Sequence, residues 1–139
     1  MPASFIVNYL SVVVAAIASF IIGWVWYSVL FGKVWMKLSG KSMKEINASK
    51  NKSMAGTMIT AFIAQLVMAW VLGVFVSAMG ETGWVGGLSV AFWIWLGFVA
   101  TIGLGIVLWE GKSMKLFWVN SLHWLVALLV QGAILGAWQ

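Results

Sequence analysis

The chain has 139 residues, 63% of them hydrophobic and only 8% charged. A soluble domain carries about a quarter charged residues, so this composition excludes a protein wetted over its whole surface. The charges are lysines and glutamates alone, and there is no cysteine, arginine or aspartate. Disulfides, thiolate chemistry and a Ser-His-Asp or Cys-His set are therefore excluded within the chain.

Four stretches carry no charge: Met1–Gly32, Ser53–Gly80, Thr82–Trp109 and Leu116–Gln139. About 20 apolar residues cross a hydrocarbon core of roughly 30 Å, and each stretch exceeds that length. Runs such as VVVAAIASFII lack the alternation of a barrel strand. The expected fold is an all-α membrane protein, a single domain over residues 1–139, with four transmembrane helices in two hairpins.

The first span is placed at Phe5–Phe31. It has no basic residue before its apolar core and runs too long for a secretory signal, so it reads as a retained helix. Ser11, Ala15, Ser19 and Gly23 recur four apart along it. Such small residues let helix backbones approach closely in lipid. The loop that follows, KVWMKLSGKSMKEINASKNK, runs from Lys33 to Lys52 with six lysines and one acid, Glu45. Within it Ser42–Glu45, SMKE, fits a capping box, so a helix is expected to start near Met43 and to lead toward the second span.

The second span, Met54–Met79, carries Ala69, Gly73 and Ser77 in one stripe, with Gln65 a turn earlier. Glu81 is the only charge before the third span, Trp84–Trp109, whose expected packing stripe is Gly97, Thr101 and Gly105. EGKSMK (Glu110–Lys115) leads to the fourth span, Leu116–Trp138. That span ends in a G-x-x-x-G pair, Gly132 and Gly136, which serves either the bundle itself or a second copy.

Loops rich in lysine stay cytoplasmic. Six lysines in the first loop and two in the third, against none in the second, put both of those loops inside and both termini outside. The lysines of the Lys33–Lys52 loop then face anionic lipid headgroups. That pairing accounts for the net charge of +5 without nucleic acid.

GKSMK occurs twice, at Gly40–Lys44 and Gly111–Lys115. A phosphate loop needs a second glycine five residues before the Gly-Lys, between a strand and a helix. Trp35 and Ile106 stand there instead. The copies read as helix punctuation: Gly stops one helix, Lys reaches the interface and Ser caps the next helix. Their matching places in the two hairpins raise the possibility of a duplicated helix pair.

Of eleven tryptophans, Trp24, Trp26, Trp35, Trp109 and Trp118, with Tyr27, lie toward the inner boundary, and Trp84 and Trp138 toward the outer one. That is the distribution of an aromatic belt; a cage for a quaternary ammonium ligand is the alternative. Trp70, Trp93 and Trp95 sit deeper and pack the core, face lipid or line a cavity.

Asn120, His123 and Gln131 share one face of the fourth span, with Ala127 between them, and Gln65 lies near the middle of the second. Ionisable residues inside a membrane are costly and face an interior, a cavity or a pathway. His123 is the only one here. The four residues are either interhelical hydrogen-bond glue or a ligand or permeation site whose imidazole ordinarily titrates near neutrality. One His and three loop Glu supply no metal site within one chain, and no cofactor or catalytic set is indicated.

Ile21–Gly40, IIGWVWYSVLFGKVWMKLSG, resembles the opening signature of the bacterial family called domain of unknown function 1761. Gly23, Trp24, Trp26, Tyr27, Phe31, Gly32 and Trp35 carry that resemblance in one run. Glu110–Trp138 resembles the family's ending. The resemblance implies a small integral membrane protein of the prokaryotic plasma membrane and implies no activity or site residues. The leading functional expectation is a homo-oligomeric permeation or small-ligand-binding protein centred on Asn120 and His123. The alternative is an accessory or scaffold subunit working through its small-residue stripes.

Overall fold

In the computed structural model the described residues are 7–39, 43–80 and 83–138, and all their regular structure is helical. Helix α1 (Tyr9–Val25) continues through a π-helical segment, Trp26–Leu30, and is followed by the short α2 (Gly32–Ser39). Helix α3 runs unbroken over Met43–Ala78. Helices α4 (Gly83–Ile94) and α5 (Thr101–Glu110) are joined by a second π-helical segment, Trp95–Ala100, and α6 (Met114–Ala137) ends the bundle. Four spans are long and apolar enough to cross a membrane: Tyr9–Leu30, Ala55–Ala78, Gly83–Glu110 and Met114–Ala137.

The ends of these elements have local causes. Asn8 caps α1, its Oδ1 accepting from Leu10 N at 2.9 Å and Ser11 N at 3.4 Å. At the far end Phe31 leaves helical geometry and Gly32 turns in close to Tyr27. A Cβ on Gly32 would stand 2.8 Å from the Tyr27 carbonyl oxygen, so the bend into α2 needs glycine. The second GKSMK is helix punctuation: Gly111 closes α5 in the left-handed region at φ 67°, and Ser113 Oγ accepts from Lys115 N at 3.1 Å to cap α6. The SMKE box falls on Ser42, outside the described residues; the helix from Met43 does continue into the second span.

Helix α6 is the central strut. In its apolar 18-residue stretch 44% of residues are buried, against 22% in the corresponding stretch of each of the others. Its closest neighbour is α4. Gly132 and Gly136 lie directly on Gly87 and Gly83, so close that a Cβ on Gly87 would collide with the Gly132 carbonyl oxygen. The G-x-x-x-G pair of the last helix is thus filled by a matching pair from the same chain.

That contact corrects the expected third stripe. Gly97 and Thr101 are exposed, and nothing lies within 4 Å of a Cβ built on Gly97 or Gly105. The residues of this span that meet α6 are Gly87, Ala91, Trp95 and Gly103, all four or a multiple of four apart, and Val107, next in that line, is buried. Gly97, Thr101 and Gly105 are two residues out of phase with them, which is about 200° around a helix. The stripes on the other spans do face inward: Ser11, Ala15, Ser19, Ala69 and Gly73 are buried and Gly23 half-buried.

A line repeating every four residues drifts away from its neighbour on an ordinary helix of 3.6 residues per turn. Both first helices of the hairpins keep such a line, and both contain a π-helical segment, whose extra residue turns the helix back. Each segment begins at the second tryptophan of a Trp-x-Trp: Trp24-Val25-Trp26 and Trp93-Ile94-Trp95. In both, the first indole is exposed and the second points at α6. Trp26 Nε1 donates to Val119 O at 3.0 Å and Trp95 Nε1 to Ser121 O at 2.7 Å. Trp95→Phe keeps the ring and deletes the donor, and is expected to cost about 0.5–1.5 kcal/mol in reversible unfolding from detergent micelles.

Candidate functional site

The site forms where the end of α1 and its π-helical segment meet the first turns of α6. Gly23, last of the four-spaced line on α1, leaves room for the His123 imidazole; a Cβ there would lie 3.3 Å from Nε2. His123 is 5% exposed. Three aromatic rings wall it in, with centroids 4.6 Å away for Trp124, 4.9 Å for Tyr27 and 6.1 Å for Trp26. Phe31 packs on Trp26, and Trp35 sets its ring edge-on to Tyr27. Tyr27 OH donates to Asn120 Oδ1 at 2.8 Å, closing the wall on the side toward the lysine loops.

Within this box neither imidazole nitrogen has a hydrogen-bond partner. A neutral imidazole offers one N–H donor and one acceptor nitrogen. Leaving such groups buried and unused costs about 1–3 kcal/mol each. The chain therefore holds, at the heart of its aromatic cluster, a group equipped to exchange a proton or grip a polar solute.

The four polar residues singled out in the sequence divide into two kinds. Asn120 and Gln65 make interhelical hydrogen bonds, Asn120 with Tyr27 and Gln65 with the Ser19 hydroxyl, which donates to Gln65 Oε1. His123 and Gln131 do not. Gln131 is fully buried, and both its amide oxygen and its amide nitrogen lack partners. His123 and Asn120 stand together, Gln65 lies farther along the seam, and Gln131 is two turns of α6 beyond His123.

Two members of the box were assigned elsewhere by sequence reasoning. Trp26 and Tyr27 were expected in the aromatic belt, yet both turn inward, while Trp24, Trp109 and Trp118 are exposed as a belt requires. The signal for Tyr27 was present, since it continues the line Ser11, Ala15, Ser19, Gly23 by one further step. Trp124 gave no signal beyond its place next to His123. Of the deeper tryptophans, Trp95 is core and Trp70 and Trp93 face outward. Among the described residues, no three His, Cys, Asp or Glu side chains gather.

A four-span, multi-pass helical membrane protein with one buried polar-aromatic centre is the class these features define. The chain belongs to the family described as Protein of unknown function (DUF1761), whose signature matches residues 10–136. No curated protein and no solved structure matches it.

Proposed function

We propose that this protein is a permeation or small-ligand-binding protein of the prokaryotic plasma membrane, with its working site at His123 and Asn120. One observation carries the reading: the imidazole is buried among Trp26, Tyr27 and Trp124 with both ring nitrogens unengaged. Packing alone would favour an apolar side chain there, because lipid offers an orphaned polar group no compensating hydrogen bond. Lys33 and Lys37, exposed one turn apart on α2, support placing that end of the bundle against anionic headgroups of the inner leaflet.

The test uses the fact that the chain has a single histidine. With 15N-histidine incorporated and no histidine tag, the ring nitrogens in lipid nanodiscs report protonation, tautomer and hydrogen bonding of this site alone. The expected result is a neutral ring that exchanges between its two tautomers at a rate that responds to pH, and a spectrum altered by Asn120→Ala. A single unchanging neutral form, with Asn120→Ala affecting stability only, would make His123 a packing residue.

A second reading, assembly with further copies or with a partner protein, is favoured by the outward turn of Gly97, Thr101 and Gly105. Small residues on a lipid-facing side offer another helix a close approach. Native mass spectrometry of protein released gently from its own membrane distinguishes a homo-oligomer with a retained ligand from a complex with a different chain.

A further inference from the structure

His123 is not the only unengaged polar group on its seam. Gln131 lies on the same face of α6, eight residues on, and it too is completely buried with both amide atoms free. The register of the three helices α1, α3 and α6 follows from their contacts. At one end Gly73 of α3 packs on Val7 and Leu135; at the other Gly23 of α1 backs onto His123. One turn in from Leu135 and Gly73 come Gln131 and Ala69, and one turn in from Val7 comes Ser11. Farther along, Ser19 bonds Gln65, and then His123 and the Tyr27–Asn120 pair follow.

A polar group thus recurs along one buried seam, and its companions are small: Ala15, Ala69 and Ala127 are fully buried beside it. From Ser11 to Tyr27 the line spans about 24 Å at 1.5 Å per residue, most of the roughly 30 Å hydrocarbon core. Dry packing would fill these layers with leucine, as the α3 and α6 faces do at Leu72, Leu128 and Leu135. Helix-to-helix glue would pair the polar atoms, as it does for Gln65 and Asn120. Neither accounts for two residues with four unpartnered polar atoms in one line.

We infer that this seam is a proton route and that the proton is what the protein passes. The inference rests on His123 being a working site, and it adds Gln131 as a second station. A proton arrives on one nitrogen of His123 as the proton on the other departs, leaving the ring neutral with its tautomer exchanged, and rotation of the ring restores the acceptor nitrogen to the entry side before the next proton. Hydroxyls and waters along the seam each take one proton and release one. The Gln131 amide takes up no proton; it positions the relay by donating and accepting hydrogen bonds. Tyr27 is the titratable group facing the imidazole from α1, and among the described residues α3, α4, α5 and α2 present none to it, Lys33 and Lys37 being exposed to the side.

The full chain is reconstituted in phosphatidylethanolamine–phosphatidylglycerol vesicles containing a pH-sensitive dye, and a potassium diffusion potential drives protons inward. Acidification well above that of empty vesicles is expected. Gln131→Met, similar in size and unbranched, should slow it about tenfold, the loss of one hydrogen-bonded link, while the 15N-histidine signals keep their response. Ser19→Ala, which removes the hydroxyl that donates to Gln65 Oε1, carries the same expectation should Gln131→Met fold poorly. Trp70→Phe, on the exposed side of α3, should leave the flux unchanged. Flux no faster than in empty vesicles, or full flux in both Gln131→Met and Ser19→Ala, would overturn the route. His123 responding in the spectra while the flux fails would leave the binding site standing without the wire.

Discussion

Gly87→Ala is expected to cost about 3 kcal/mol, the upper end of what overpacking takes from a well-fitted interior. The added methyl would collide with the Gly132 carbonyl oxygen and stand 2.6 Å from its carbon. Both obstacles are backbone, so no rotamer change clears them and the two helices must separate. Gly132→Ala meets the same obstruction from the other side, with the Gly87 oxygen in collision and the Ala91 Cβ at 2.8 Å. Because α4 against α6 is the tightest seam of the bundle, its opening loosens the helix that all the others use. Gly97→Ala is the control: its Cβ meets nothing within 4 Å, and replacing a glycine within a helix gains up to about 1 kcal/mol in propensity. Tryptophan fluorescence during unfolding from micelles reads the contrast, and equal stabilities for Gly87→Ala and wild type would refute the α4–α6 contact. Gly97→Leu separates this from assembly. If copies meet through the outward stripe, it lowers the oligomer in native mass spectrometry and leaves the protomer's stability intact.

The same contact shows what the sequence allowed to be read and where it misled. Charge-free length alone located four spans within a few residues, because the cost of a lysine or glutamate in hydrocarbon is large and local. Small-residue spacing found the inward faces of α1 and α3. On the third span two rival small-residue lines exist, Gly83, Gly87, Ala91 and Gly97, Thr101, Gly105, and composition does not choose between them. Distance from Gly132 and Gly136 chooses, and that is a property of the hairpin rather than of either helix. The π-helical segments were likewise hidden, although each starts at a Trp-x-Trp whose second indole seeks an α6 carbonyl. His123 was conspicuous as the one histidine, set within a span otherwise free of charged residues. Its aromatic walls were not, because a tryptophan anchored at an interface and one turned onto a histidine look alike until the helix phase is known.

Opposite signs are expected for two polar residues about one turn apart on α6. His123→Leu should stabilise the bundle by about 1–2 kcal/mol, because it removes two buried groups that form no hydrogen bond and leaves the ring contacts of Trp26, Tyr27 and Trp124 an apolar partner of similar size. Asn120→Leu should destabilise by about 1 kcal/mol, since it strands the Tyr27 hydroxyl that now donates to Asn120 Oδ1. A bundle that keeps histidine at a stability cost, in a position where leucine fits, holds it for what the imidazole does. Both variants are compared with wild type by reversible unfolding in the same micelles, and the histidine variant is then tried in the flux assay. A gain in stability with loss of proton passage is the signature of a residue retained for function. Loss of stability in His123→Leu would mean instead that the imidazole's nitrogens are engaged in the folded protein, and the site would then be structural.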